Sequence, residues 1–264
     1  MRPLVALYKT FRGGEFMLAS LESLDPWIDG IVTVEATRPW SGESRLKANC
    51  GSAIEAFQQE HPNVPFARIF HDCASQEESY EVGLATIRFT FGVDVNVLVV
   101  DSDEVWDFGL MQFKQDIQHW PEGVDAVRHR LWAYVKSPLY RVTPPETMPA
   151  VVCLKSAETP KAIDRRFSNL SHAIYAGCSL HHFAYVREDE SEIAEKFAWN
   201  QVAERGRLNP RWLEDVWPKI PDVTDFHPIC GERWKRVEVV KPSDLPLPIQ
   251  RSFVAGMIAG RYPT

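Results

Sequence analysis

Short apolar runs alternate with helically spaced apolar positions over the first hundred residues. Leu4-Val-Ala-Leu-Tyr8 is continuous, Arg12-Gly13-Gly14 is a turn signal, and Met17, Leu21 and Leu24 then recur at helical spacing. Ile31-Val-Thr-Val-Glu35 predicts a second strand, completing a strand, helix and strand that imply parallel pairing. Leu46, Cys50, Ala53, Ile54 and Phe57 mark a second helix face, Phe66 to Phe70 a third strand, and Tyr80, Leu84, Ile87 and Phe91 a third helix. That helix feeds the run Asn96-Val-Leu-Val-Val-Asp101, whose β-branched residues show no polar alternation. Such a run predicts a strand buried on both faces, in the middle of a sheet. Strict alternation of this kind predicts an α/β fold: a Rossmann-like, mixed and mostly parallel sheet flanked by helices.

Beyond Trp106 the pattern changes. Leu110, Phe113 and Ile117 keep helical spacing briefly, and Asp125 to Val135 alternates, predicting a strand whose wet face carries Arg128 and Arg130. Val151 to Leu154 and Ser179 to Val186 predict two more strands, and the acidic stretch Glu188 to Glu192 predicts a helix N-terminus with Ile193 and Phe197 on its buried side. The last sixty or so residues are rich in Trp and Pro, so residues 201–264 are expected to pack on a core formed by residues 1–200 as an extension of one domain, with Trp212, Trp217 and Trp234 as a collar.

Composition narrows the function classes. A chain of 264 residues with 45% hydrophobic content can bury a full core. Its net charge of −7 gives no general attraction to nucleic acid or anionic lipid. No apolar run approaches the ~18 residues of a membrane span, so a cytoplasmic location is expected. Cys50, Cys73, Cys153, Cys178 and Cys230 are odd in number and include no CxxC pair, which favours free thiols over disulfides or zinc.

The candidate chemistry gathers where the apolar run ends, in Asp101-Ser102-Asp103-Glu104. Carboxylates cannot follow that strand into the core, so they sit at its carboxyl end, where open α/β sheets place ligands and where a divalent cation can offset clustered negative charge. Val105 and Trp106 stand where an EF-hand needs a ligand and its glycine, so that motif is excluded. A plainer reading is that these acids cap a following helix. Lys9, Thr10, Arg12 and the two glycines fall on the first loop, where cations, a hydroxyl and backbone N–H groups can meet a phosphate or a base. Glu35 ends the second strand at the same sheet edge.

The runs Thr10-Phe-Arg-Gly-Gly-Glu-Phe-Met-Leu-Ala-Ser-Leu-Glu-Ser-Leu, Asp29-Gly-Ile-Val-Thr-Val-Glu35 and Val97-Leu-Val-Val-Asp-Ser-Asp-Glu resemble the GT-A glycosyltransferases. Similarity is greatest to the branch containing the β-1,4-N-acetylglucosaminyltransferases that add bisecting sugars, whose Ser-Gly segment is matched by Ser41-Gly42. The resemblance spans about residues 4 to 110, and residues 175 to 200 more loosely. It implies a transferase that moves a sugar from a nucleotide diphosphate sugar, expected to be a UDP-sugar, to a hydroxyl acceptor with inversion. It further implies Mn²⁺ or Mg²⁺ held by the D-x-D motif and a later histidine. Carried onto this chain, Asp103 is the direct metal ligand, Asp101 a ribose or water-mediated metal contact, and Glu104 a residue that orients the site or faces the acceptor. Ser102 lies between them, and Thr10, Arg12 and Glu35 would meet base and ribose. Leu180-His-His182-Phe-Ala-Tyr-Val resembles the family's histidine strand, with His182 the better match and His181 the alternative.

An inverting enzyme also needs a general base, for which Asp164, Glu158 and Asp189 are candidates. Arg165 and Arg166 could grip phosphate. The acceptor is open between a glycan, a lipid-linked sugar and a hydroxylated DNA base, the last favoured only by the scattered cations Arg128, Arg130, Arg165, Arg166, Arg205, Arg207 and Arg211. Two other readings share the same carboxylates: a Mg²⁺-dependent nucleotidyltransferase and a non-catalytic nucleotide-sugar-binding module.

Overall fold

The computed structural model describes residues 2–39, 47–107, 109–120, 122–146, 151–158, 170–187, 189–203 and 206–258. Ser41-Gly42, Leu46, Asp164, Arg165, Arg166, Glu188 and Arg205 lie outside the described residues.

The first half is built as its pattern predicts. Strands β1 (Leu4–Thr10), β2 (Gly30–Glu35), β3 (Phe66–Phe70) and β4 (Asn96–Asp101) alternate with helices α1 (Gly14–Leu24), α2 (Gly51–Glu60) and α3 (Gln76–Phe91). All pair in parallel, in the spatial order β4, β1, β2, β3. Successive residues of β1 point to opposite faces. Leu4, Ala6 and Tyr8 pack with Met17, Leu21 and Leu24 of α1, whereas Val5 and Leu7 pack with Tyr80, Leu84 and Ile87 of α3. Both faces are covered, which is why β1 and β4 could be uninterrupted apolar runs. Each Val or Leu buried this way contributes about 1.5–3 kcal/mol relative to exposure.

The chain after β4 makes the sheet mixed. The short strand β5 (Glu104–Trp106) and helix α4 (Leu110–Asp116) lead to β6 (Ala126–Val135), β7 (Tyr140–Thr143), β8 (Val151–Leu154) and the long β9 (His172–Tyr185). β8 joins β4 and β6 antiparallel, and β9 runs parallel to β6 and antiparallel to β5. Helix α5 (Glu190–Ala203), the single-turn α6 (Trp212–Asp215), β10 (Arg236–Val239) and α7 (Leu247–Ile258) complete the described chain. Trp212, Trp217 and Trp234 are buried and belong to the same apolar cluster as Leu4, Ala6 and Tyr8.

One expectation is corrected here. Strand β6 has no wet face: Arg130 is exposed, but Arg128 is 7% exposed, and Ala126 and Tyr134 on the same face are buried. On the opposite face His129 is 0% exposed, with Trp106 of β5 and Phe113 of α4 edge-on to its ring. No helix among the described residues is long and apolar enough to cross a membrane.

Candidate functional site

The order β4, β1, β2 contains the sheet's switch point. From β1 the chain crosses to β2 and β3 on one side, then returns to place β4 on the other. Loops leaving β1 and β4 therefore diverge, and a crevice opens at the strands' carboxyl ends. A cavity of about 360 Å³ lies there, lined by Lys9 and Thr10, which end β1 and do not fall on the loop as expected, by Arg12 after it, and by Asp101 at the end of β4 with Ser102 and Asp103 beyond.

The acids do not cap a helix. Ser102 and Asp103 form a tight turn and Glu104 starts β5, which is held between α1 and β9. Ser20 of α1 donates to the Glu104 carbonyl, and Ser23 Oγ accepts the Trp106 N–H. Gly13 is the other local requirement. Its φ of +100° is left-handed, and a Cβ there would lie 2.5 Å from Ser102 Oγ. Ser102 Oγ in turn donates to the Arg12 carbonyl, so the two loops are tied across the switch point.

Pairing of β5 with β9 brings in the histidines. His182 is the register partner of Glu104, and its Nε2 lies 3.4 Å from Asp103 Oδ1. His181, one residue earlier, faces the opposite side of the strand, where its Nδ1 hydrogen-bonds Tyr134 Oη at 2.9 Å. Burial lowers the His181 pKa, despite the opposing influence of Asp107. Burial also works against protonation of His182, but the hydrogen bond and charge of Asp103, helped by Glu104, outweigh it and raise its pKa.

Asp103 is only 5% exposed. Burying a carboxylate costs several kcal/mol unless it is paired, and here its Oδ2 accepts from Arg187 Nη2 at 2.8 Å and Lys196 Nζ at 3.1 Å. Burial alone would raise its pKa, yet Lys196, His182 and Arg187 together hold it well below the usual carboxylate range. The resemblance made Asp103 the metal ligand. In the structure its oxygens are taken by three side chains of the protein, and the donor atoms that converge come from Asp101, Glu104 and His182, all within 4.8 Å of one another. Asp101 also pairs with Lys9 at 2.8 Å, and Glu104 Oε2 accepts the Asp101 N–H.

The other expected residues divide. Thr10, Arg12 and Ser102 line the cavity. Arg12 is ion-paired with Glu192 and donates to the Lys47 carbonyl. Glu35 sits at the predicted sheet edge, opposite Thr10, but does not line the cavity. Its carboxylate accepts from Thr33 and takes a two-pronged contact from Arg68 at 2.7 and 2.9 Å. Asp189 is exposed and accepts the Ser191 N–H at the start of α5, so it serves as a helix cap outside the cavity. Glu158 is exposed on a turn away from it. Arg207 and Arg211 are exposed, with Arg211, just before α6, paired to Asp215 of that helix. Cys50, Cys73, Cys153 and Cys230 are free thiols, Cys230 alone among them exposed.

One part of the lining was not anticipated. Arg187, between β9 and α5, together with Glu192, Lys196, Trp199 and Asn200 of α5, lines the cavity, and Arg187 and Lys196 reach Asp103. On α5 these residues recur at i, i+4, i+7 and i+8, one helical face. The sequence showed the helix through its buried positions Ile193 and Phe197, and the spacing of the adjoining face was the one available sign.

No protein-family model matches the chain, and no curated protein matches it. Among solved structures, HddC from Yersinia pseudotuberculosis overlaps 75% of this chain and 100% of its own, at 10% identity and a TM-score of 0.43. A mycobacterial protein overlaps 76% of this chain and 74% of its own at 13% identity and a TM-score of 0.43. A putative glucose-1-phosphate thymidylyltransferase from Bacillus anthracis overlaps 82% and 83% at 11% identity and a TM-score of 0.35. Likeness this loose carries no argument about chemistry, and the character of the cavity rests on its own side chains.

Proposed function

We propose that the cavity binds a nucleotide diphosphate sugar and that the protein is a glycosyltransferase of the GT-A kind, passing the sugar to a hydroxyl acceptor. One observation carries this reading: Asp101 and Asp103 of the D-x-D-E turn and His182 line one cavity at the sheet's switch point together with Lys9, Arg12, Arg187 and Lys196. Carboxylates with an imidazole suit a divalent cation, and a neighbouring set of ammonium and guanidinium groups suits phosphate. Phe11, Tyr185 and Trp199 add flat apolar surface for a base or a sugar ring.

The donor set formed by Asp101, Glu104 and His182 fits Mn²⁺ or Mg²⁺, being two hard oxygens and one borderline nitrogen. A cation held there would offset the charge that grows on the departing nucleoside diphosphate. The chain's own residues do the rest. Lys9 and Arg12 orient the phosphates from β1, the turn at Ser102 keeps the first loop in place, and His182 is aimed by its contact with Asp103. A UDP-sugar donor and inversion at the anomeric carbon are the finer parts of the proposal, supported by the resemblance of residues 4 to 110.

Incubating the protein with Mn²⁺ and a panel of nucleotide sugars tests the reading. The expected product, even without an acceptor, is slow release of nucleoside diphosphate. Pyrophosphate release would make the protein a nucleotidyltransferase instead. Tight binding with no turnover on any acceptor would make it a binding module.

A further inference from the structure

The charges on the cavity wall do not describe an acidic bowl awaiting a metal. Its lining includes four basic side chains, Lys9, Arg12, Arg187 and Lys196, against three carboxylates, Asp101, Asp103 and Glu192. The two cations on Asp103 are built differently. Arg187 has 3% of its side chain exposed, donates from Nη1 to the Phe183 and Val186 carbonyls, and places Nε 3.3 Å from Glu15. Every edge of its guanidinium is committed, so it cannot turn to a ligand without breaking the bend between β9 and α5. Lys196 reaches in from α5 with 21% of its side chain exposed. Among the described residues its one hydrogen-bond acceptor is Asp103 Oδ2, and its ammonium lies 5.9 Å from the Tyr185 ring centre. A lysine is a point charge on a flexible stem, able to exchange partners by rotating a few bonds. Asp103 would still keep Arg187 and His182 if Lys196 turned away.

We propose that Lys196 is the phosphate-gripping residue of this cavity, and that with Lys9 and Arg12 it lets a nucleoside diphosphate bind with no divalent cation present. This rests on the reading of the cavity as a nucleotide diphosphate site and adds to it. The diphosphate is held by the protein's own cations, and the divalent ion strengthens a complex that already forms. Asp103 is then the resting partner that keeps Lys196 extended into the cavity.

Calorimetric titration of the whole protein with ADP, CDP, GDP, UDP and inorganic pyrophosphate, in EDTA and again in Mn²⁺, tests this. At least one diphosphate should bind in EDTA. Lys196→Ala should weaken that binding by about 10- to 100-fold, the loss of one charge-assisted contact, and Lys196→Arg should recover most of it. If the alanine variant melts markedly lower than the parent, Lys196→Met replaces it, because it keeps the stem beside Tyr185 while deleting the charge. Binding in Mn²⁺ alone would overturn the inference and leave the nucleotide reading standing. Metal-free binding unchanged in both Lys196 variants would remove Lys196 from the role. No binding in either buffer would overturn the inference and the functional reading together.

Discussion

The two walls of the cavity are made in opposite ways. The acidic wall is local: Asp101 to Glu104 are consecutive and delivered by one buried strand. The cationic wall is assembled from distant pieces, with Lys9 at the end of β1 and Arg12 just after it, while Arg187 and Lys196 flank and follow the start of α5, more than 170 residues later. The local wall needs only a strand and a turn. The assembled wall needs β9 threaded between β5 and β6, so its charges are correct only when the mixed half of the sheet has formed.

The sharpest way to break this contrast is at Arg187, which joins the walls. Arg187→Leu strips a buried carboxylate of its most enclosed partner and should cost about 3–5 kcal/mol, measured by urea denaturation. A loss no larger than that of Lys196→Ala would mean that the two cations are equivalent after all. On the acidic side, Gly13→Ala combines left-handed strain with overpacking against Ser102 and should cost about 2–4 kcal/mol. The same variant should weaken divalent-ion binding by displacing the turn, and ion affinity equal to the parent's would show that the two loops are not coupled. The neighbouring histidines give the finest test. His181→Ala leaves the buried Tyr134 hydroxyl without its imidazole and should cost about 1–2 kcal/mol, with Mn²⁺ affinity nearly intact. His182→Ala should do the reverse, lowering Mn²⁺ affinity with a smaller change in stability. Exchange of those two phenotypes would place the metal on the other face of β9.

Much of the fold was legible because its first half buries strands on both faces. Continuous apolar runs such as Val97 to Val100 admit few other interpretations, and the acids that follow can only stand at the strand's end. The mixed half was less legible. Strand β5 is three residues long, too short for any period, so Glu104 could be read as part of a helix cap when it is the start of a paired strand. Arg128 looked solvated because alternation cannot tell a wet face from one that another element will cover. Period two in β9 put His181 and His182 on opposite faces without saying which face held the cavity. Glu35, at the right edge by register, is claimed by Arg68 from the neighbouring strand, a pairing between residues far apart in the chain.

By itself, then, the sequence determined the parallel half-sheet, the location of the D-x-D-E turn and the anionic character of one wall, because these depend on spacing within a few residues. Tertiary structure decided that Arg187 and Lys196 come to Asp103, that Asp101, Glu104 and His182 converge, and that His182 lines the cavity while His181 faces Tyr134. Those outcomes follow from desolvation and pairing across the fold, and a buried charge takes whatever partner the packing brings to it.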